Sequence, residues 1–313
     1  MQLLELTILQ VGLLERLVNK MLSKKFNKSG IAIDFGATKI SISEIIKGKF
    51  KNTSIEITKV DKKNKNYIYQ IIKNIDDIST TKPKKIGIAI TGRVDNLGNW
   101  YPVNKKSLGI FKLPLKKIIE KKYNVQTKIM NDAIAAALGE SIYGKGYKYK
   151  RVGYITISTG IGVGIILDRK PFISNNGLAG HLGFTTSTLG NLKCGSGRKG
   201  TFESIASGKA MSEIARLRGY KNVTAKEIFQ HNLNKKKWAK EIIELSAKSI
   251  SELCSNLKAT FDLDIIILGG SIGMANGYSE LVKKNLRKEP KLFQVNLVKS
   301  SLGTRAAKFG VLI

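Results

Sequence analysis

The sequence predicts an α/β protein made of two similar halves with a cleft between them. Three observations predict it. A short apolar strand runs into a glycine- and threonine-bearing turn at IAIDFGATK (31–39), and the same design returns as VGYITISTGIGVGIIL (152–167). In each half, helical and buried-strand segments then follow in the same order. The lobes are expected at 30–130 and 131–313, behind an extension at 1–29 that reads as an amphipathic helix or as sequence upstream of a start at Met21.

In chain order, Ile31 to Ile33 form a buried strand, and residues 40–60 continue as strand-like alternation. Ile68, Ile71, Ile72 and Ile75 lie on one helical face within 66–80, and KKIGIAITG (84–92) is a fully apolar strand. The stretch from Gly92 to Phe111 is too polar and glycine-containing for regular structure, and a long loop with Trp100, Tyr101 and Asn104 at its centre reads as functional. A basic helix (114–123) and a strand (125–129) lead to MNDAIAAALGE, where a strand gives way to an alanine-rich helix at Asn131 and Asp132. The second hairpin follows, then a glycine-rich stretch (175–201), helices over 203–216, 225–231 and 235–260, and a last apolar strand, IIILGG, that ends in Gly269 and Gly270.

The 313 residues are 42% hydrophobic and 25% charged, a globular balance that excludes a disordered chain. Fifty-four Lys and Arg face 23 Asp and Glu, for a formal charge of +31, but the lysines are dispersed and no aromatic-interleaved basic stripe occurs. The expectation is a small-molecule partner, with no specific nucleic-acid partner and no membrane. Glu5, Glu15 and Arg16 interrupt every apolar run of the first 20 residues that is long enough to span a bilayer. Two cysteines, Cys194 and Cys254, are too few for a disulfide framework, which fits a reducing cytosol.

The two turns suit a nucleotide. Gly36 lets backbone N–H groups approach an anion, Thr38 adds a hydroxyl, and Asp34 supplies a carboxylate for a Mg²⁺ shell. Thr156, Ser158, Thr159, Gly160 and Gly162 repeat that inventory, while Gly269 and Gly270 leave bare backbone for adenine or its ribose. Asp132, at a strand end beside a helix N-terminus, can take the proton of a sugar hydroxyl, although a plain N-cap is the other role open to it.

In their order along 31–313, DFGATK, the Asn104 loop, MNDAIAAALGE, STGIGVG, NGLAGHLGF, FESIASG and ILGGSIG resemble the ROK family of sugar kinases. The resemblance implies a two-lobed actin-like ATPase (ribonuclease H-like) fold with a duplicated βββαβα core, and homodimers. It implies ATP held by Asp34, Gly36, Thr38, Lys39, Thr156, Thr159, Gly160, Gly162, Gly269 and Gly270, with Mg²⁺ bound to Asp34 through water. Asp132 becomes the base, and Asn104, Asn131, His181 and Glu203 the sugar contacts. Most members carry a Glu in a GExGH segment. Here His181 stands in its place, a form similar to bacterial N-acetylmannosamine kinases, which implies phosphorylation of the 6-hydroxyl of N-acetylmannosamine.

The departures carry information too. The family's structural zinc ligands are one His and three Cys, and the matching positions here read Phe184, Cys194, Ser196 and Thr201. One thiolate cannot close a tetrahedral zinc site, so no structural zinc is expected. Ala37 and Val163 replace glycines common in the two turns, each adding a side chain near the phosphates. A glucokinase or other hexosamine kinase, a decayed sugar-binding protein and a sugar-responsive regulator stay open as readings, though about 30 N-terminal residues are too few for the regulator's winged helix-turn-helix.

Overall fold

A computed structural model describes residues 26–58, 66–102 and 112–313. The first sheet contains β1 (Gly30–Phe35), β2 (Lys39–Ile46), β3 (Lys49–Ile57), β4 (Ile86–Ile90) and β7 (Thr127–Asn131), in the order β3-β2-β1-β4-β7. The second contains β8 (Val152–Ile157), β9 (Ile161–Leu167), β10 (Lys170–Pro171), β11 (Ile265–Gly269) and β12 (Asn296–Lys299), in the order β10-β9-β8-β11-β12. Each sheet is an antiparallel hairpin continued by parallel strands, so the internal repeat read from the two turns extends to the whole strand order.

Alternation explains the pairing. In β1 and β4 every Ile is buried, because α1 (Asn66–Ile78) covers one face with Tyr67, Ile71 and Ile75 while α2 (Leu115–Tyr123) adds Leu115 and Ile119. The strand-like stretch at 40–60 divides into β2 and β3 at Lys47 and Gly48, both at positive φ, the conformation a two-residue hairpin turn demands. Trp100 and Tyr101 are more ordered than the sequence suggests. They form β6 (Trp100–Tyr101), which pairs with β5 (Arg93–Val94), and the fully buried Trp100 donates from Nε1 to the Thr91 carbonyl at 2.8 Å. Asn104 lies outside the described residues.

Two helices lie between the sheets. The alanine-rich α3 (Asp132–Tyr143) crosses the C-terminal helix α10 (Ala306–Leu312) at glycines: a Cβ on Gly139 would strike the Ala306 carbonyl, and one on Gly310 would strike that of Ala135. Backbones this close exclude any side chain. Lys85 Nζ donates to the Leu312 carbonyl at 2.9 Å, so the chain's end is tied to the first sheet.

In the second half, α4 (Glu203–Ala206), α5 (Gly208–Leu217), α6 (Ala225–Leu233) and the long α7 (Lys237–Phe261) cover the sheet, followed by α8 (Gly270–Gly273) and α9 (Tyr278–Leu286). The single helix expected over 203–216 breaks at Ser207. Its backbone is extended, its Oγ caps α5 by accepting from Ala210 N, and Gly208 N turns away to the Ser158 carbonyl at 2.7 Å. That bond anchors the turn between β8 and β9.

Candidate functional site

The β1–β2 turn and the β8–β9 turn meet. Thr38 Oγ1 and Thr159 Oγ1 lie 3.3 Å apart, although 121 residues separate them in sequence. The second turn is braced by Ser158 N donating to the Gly160 carbonyl at 3.0 Å, and by the first residues of α5. Lys39 is exposed at the start of β2 and its charge reaches Asp34. Val163 does not point at this site; it is 2% exposed and belongs to the core of the second half, which corrects the expectation of a side chain near phosphate. Alternation along β9 requires this, because Gly162 occupies the other face.

Below the turns sit two carboxylates. Asp34 is pushed up to about 6 by burial and by the nearby Asp132 charge, against the opposing pull of Lys308 and Lys39. Burial also raises Asp132 above the ordinary carboxylate range, offset by hydrogen bonds from backbone N–H groups and from Asn131. A Cβ built on Gly162 would lie 4.0 Å from Asp132 Oδ1, so the second turn's strand runs over this carboxylate.

Capping falls to the neighbour. Asn131 Oδ1 accepts from Ala133 N at 3.0 Å and Ile134 N at 3.2 Å, while its Nδ2 donates to the Gly92 carbonyl at 2.9 Å. Asp132 is thereby the first helical residue, and its carboxylate accepts from Ala133 N at 2.9 Å and from the Asn131 side chain. The family resemblance implied a sugar contact for Asn131; the structure gives its oxygen to the helix and one of its N–H groups to the end of β4.

His181 and Glu203 lie on the far side of the second turn. His181 Nδ1 is 3.2 Å from the Leu178 carbonyl, whereas the buried Nε2 has no hydrogen-bond partner. Burial lowers its pKa, so the ring is neutral, with Nδ1 as donor and Nε2 left as acceptor. An orphaned buried acceptor wants a hydroxyl. Beside it opens a cavity of about 860 Å³, whose lining includes Arg93, Tyr101, Phe172, Leu178 and Phe184. Glu203 Oε2 accepts Ile161 N at 3.0 Å, and this carboxylate, raised by burial, also takes the Gly195 N–H, so it ties the β8–β9 turn to the glycine-rich segment.

Gly269 and Gly270 pack closely against β8. A Cβ at 269 would strike Tyr154 Oη, and one at 270, where φ is 78°, would strike the Ile157 backbone. The missing side chains make room for β8.

Along the chain, residues 30–313 match the ROK family. The chain belongs to the ROK family. A curated N-acetylmannosamine kinase of Vibrio cholerae is 34% identical over 266 residues, covering 85% of this chain and 91% of that protein. Among solved structures, a ROK glucokinase from Streptomyces griseus in complex with glucose and AMPPNP superposes with a TM-score of 0.77 at 24% identity, over 91% of this chain and 98% of its own. A ROK transcriptional regulator, a homolog of the E. coli MLC protein, gives 0.77 at 18% identity, over 92% of this chain and 78% of its own. The fold is therefore the actin-like ATPase fold of this ROK chain, shared by kinases and regulators alike. Among the described residues no helix is long and apolar enough to cross a membrane.

Lys308 escaped the sequence reading. It lies on α10 with 4% exposure, and its Nζ donates to Ser41 and Ser43 Oγ, both at 2.7 Å. Ser41 pairs directly with Asp34 across the β1–β2 ladder, so the ammonium sits on the same sheet face as that carboxylate. No local pattern marks it among 54 Lys and Arg.

Proposed function

We propose that this ROK protein transfers the γ-phosphoryl group of ATP to the 6-hydroxyl of N-acetylmannosamine, in the breakdown of sialic acid. The observation that carries the proposal is the Asp132 carboxylate, released from capping by Asn131 and set beneath the meeting point of two hydroxyl-bearing turns. The sugar identity is supported by the 34% identical Vibrio cholerae relative and by His181 in the GLAGHLGF segment.

Asp132 holds the sugar hydroxyl and accepts its proton as the oxygen attacks phosphorus; a carboxylate raised above its ordinary pKa is a better base near neutrality. Thr38, Thr159 and the backbone N–H groups of both turns orient the phosphates. His181 Nε2 accepts from a second sugar hydroxyl. A carboxylate whose ionisation is made costly by burial and by the Asp132 charge suits a divalent cation, and Asp34 would hold Mg²⁺ through water. Mg²⁺, when bound, neutralises charge on the phosphates.

The test is ATP turnover with N-acetylmannosamine, N-acetylglucosamine and glucose side by side, with the product identified by mass. N-acetylmannosamine 6-phosphate as the preferred product is expected. Preference for glucose would overturn the sugar assignment, and turnover unaffected by any of these sugars would overturn the kinase.

A further inference from the structure

The segment from Phe184 to Glu203 holds the positions of the family's zinc ligands, and the donors present do not suit that metal. Phe184 offers no ligand atom, and Cys194 Sγ lies 2.9 Å from Ser196 Oγ. Thr201 is buried, its Oγ1 accepts Ser204 N at 3.2 Å, and its carbonyl accepts Ser204 Oγ at 2.7 Å. Among the described residues no three His, Cys, Asp or Glu side chains converge as a metal site.

Other bonds hold this segment. At its near end Ser187 Oγ donates to Glu252 Oε2 at 2.7 Å, and Thr188 N donates to Glu252 Oε1 at 2.9 Å. Glu252 stands on α7 between Ser251 and Leu253, on a helix whose Ile250, Leu253 and Cys254 are buried in the core, so its carboxylate is fixed to a rigid support. The middle is closed by isolated bridges between Thr186 and Thr201 and between Lys193 and Lys199. At the far end Glu203 takes the N–H of Ile161, at 3.0 Å, and that of Gly195. Phe184 stacks on His181, with centroids 6.0 Å apart and planes at 23°.

We infer that Glu252 is a positioning residue that, with the Phe184 stack, organises the sugar-side loop of this protein without zinc. Two charge-assisted hydrogen bonds from consecutive residues fix the loop where it leaves His181, the task that the resemblance to zinc-bearing members gives to the metal. Glu252 touches neither sugar nor nucleotide in this account; it acts through the placement of His181 and Glu203.

Two experiments on the full-length protein decide it. Metal analysis should find zinc far below one atom per chain, and 1,10-phenanthroline should leave the melting temperature unchanged. One tightly held zinc whose removal lowers the melting temperature would overturn the inference. In kinetics, Glu252→Ala should raise KM for N-acetylmannosamine about tenfold, or about 1.4 kcal/mol, with kcat and the KM for ATP nearly unchanged. Glu252→Gln should recover most of it, because its amide oxygen still accepts Thr188 N and the Ser187 hydroxyl can reverse its role. Sugar and ATP KM values that rise together, or an unchanged sugar KM, would contradict it. Should Glu252→Ala fail to fold, Ser187→Ala removes one of the two bonds, and an unchanged sugar KM there also counts against the inference. This kinetic arm rests on the kinase reading; if no sugar is phosphorylated that reading fails, and zinc content with melting temperature still decides the present one.

Discussion

Thr38 and Thr159 hydroxyls lie 3.3 Å apart, and this contact brings the turns of the two sheets onto one point. A phosphate bound there would draw donors from both lobes. Thr38→Val and Thr159→Val should each raise KM for ATP about tenfold, consistent with loss of one hydrogen bond to a charged group, and leave sugar KM nearly unchanged. Steady-state kinetics with ATP varied at saturating sugar check this; equal effects on both KM values would place the turns elsewhere in the mechanism.

Asp34 is held at about 6, above its model-compound 3.8. Between those values the folded protein binds more protons than the unfolded chain, so this group's contribution to stability declines as pH rises through that window. Asp34→Asn should therefore stabilise the ligand-free protein at pH 7, by up to about 3 kcal/mol, while removing activity. Denaturant unfolding of both proteins at pH 4 and pH 7 measures the difference, which should shrink to under about 1 kcal/mol at the lower pH.

Lys308 pulls the other way. Its ammonium favours the Asp34 anion, and burial brings its own pKa down to about 8. Lys308→Met should shift the acid limb of kcat/KM for ATP to higher pH, because Asp34 then ionises less readily. An unmoved acid limb would show that Lys308 only packs α10 against β2.

Asn131→Ala removes the cap of α3 and should cost about 1 kcal/mol of stability. It should also lower kcat more than it raises sugar KM, because the bonds lost hold the helix that begins at Asp132. Thermal unfolding and kinetics on one preparation distinguish this from a direct sugar contact, for which sugar KM would bear the loss.

Much of the fold was legible because it rests on local patterns. Apolar runs interrupted by Gly and Thr at 36–38 and 158–162 mark both hairpins, and the burial of the Ile residues in β1, β4 and β11 follows from the alternating or continuous apolar pattern of each strand. Asp132 was legible as a carboxylate at a strand–helix junction. Its release from capping was not, because Asn and Asp cap equally well and only the backbone shows that Asn131 takes the task. Lys308 acquires meaning only when α10 crosses α3 and lays the ammonium on β2, a contact spanning more than 260 residues in sequence. The close packing at Gly269 and Gly270 was hidden for a related reason, since what fills their missing side chains belongs to a distant strand.

The most direct measurement is the kcat of Asp132→Asn with N-acetylmannosamine, alongside sugar binding by calorimetry. A carboxylate acting as general base predicts a fall of about 10²- to 10⁴-fold with sugar affinity retained. A variant that turns over at nearly the native rate would contradict the assignment of proton transfer to Asp132.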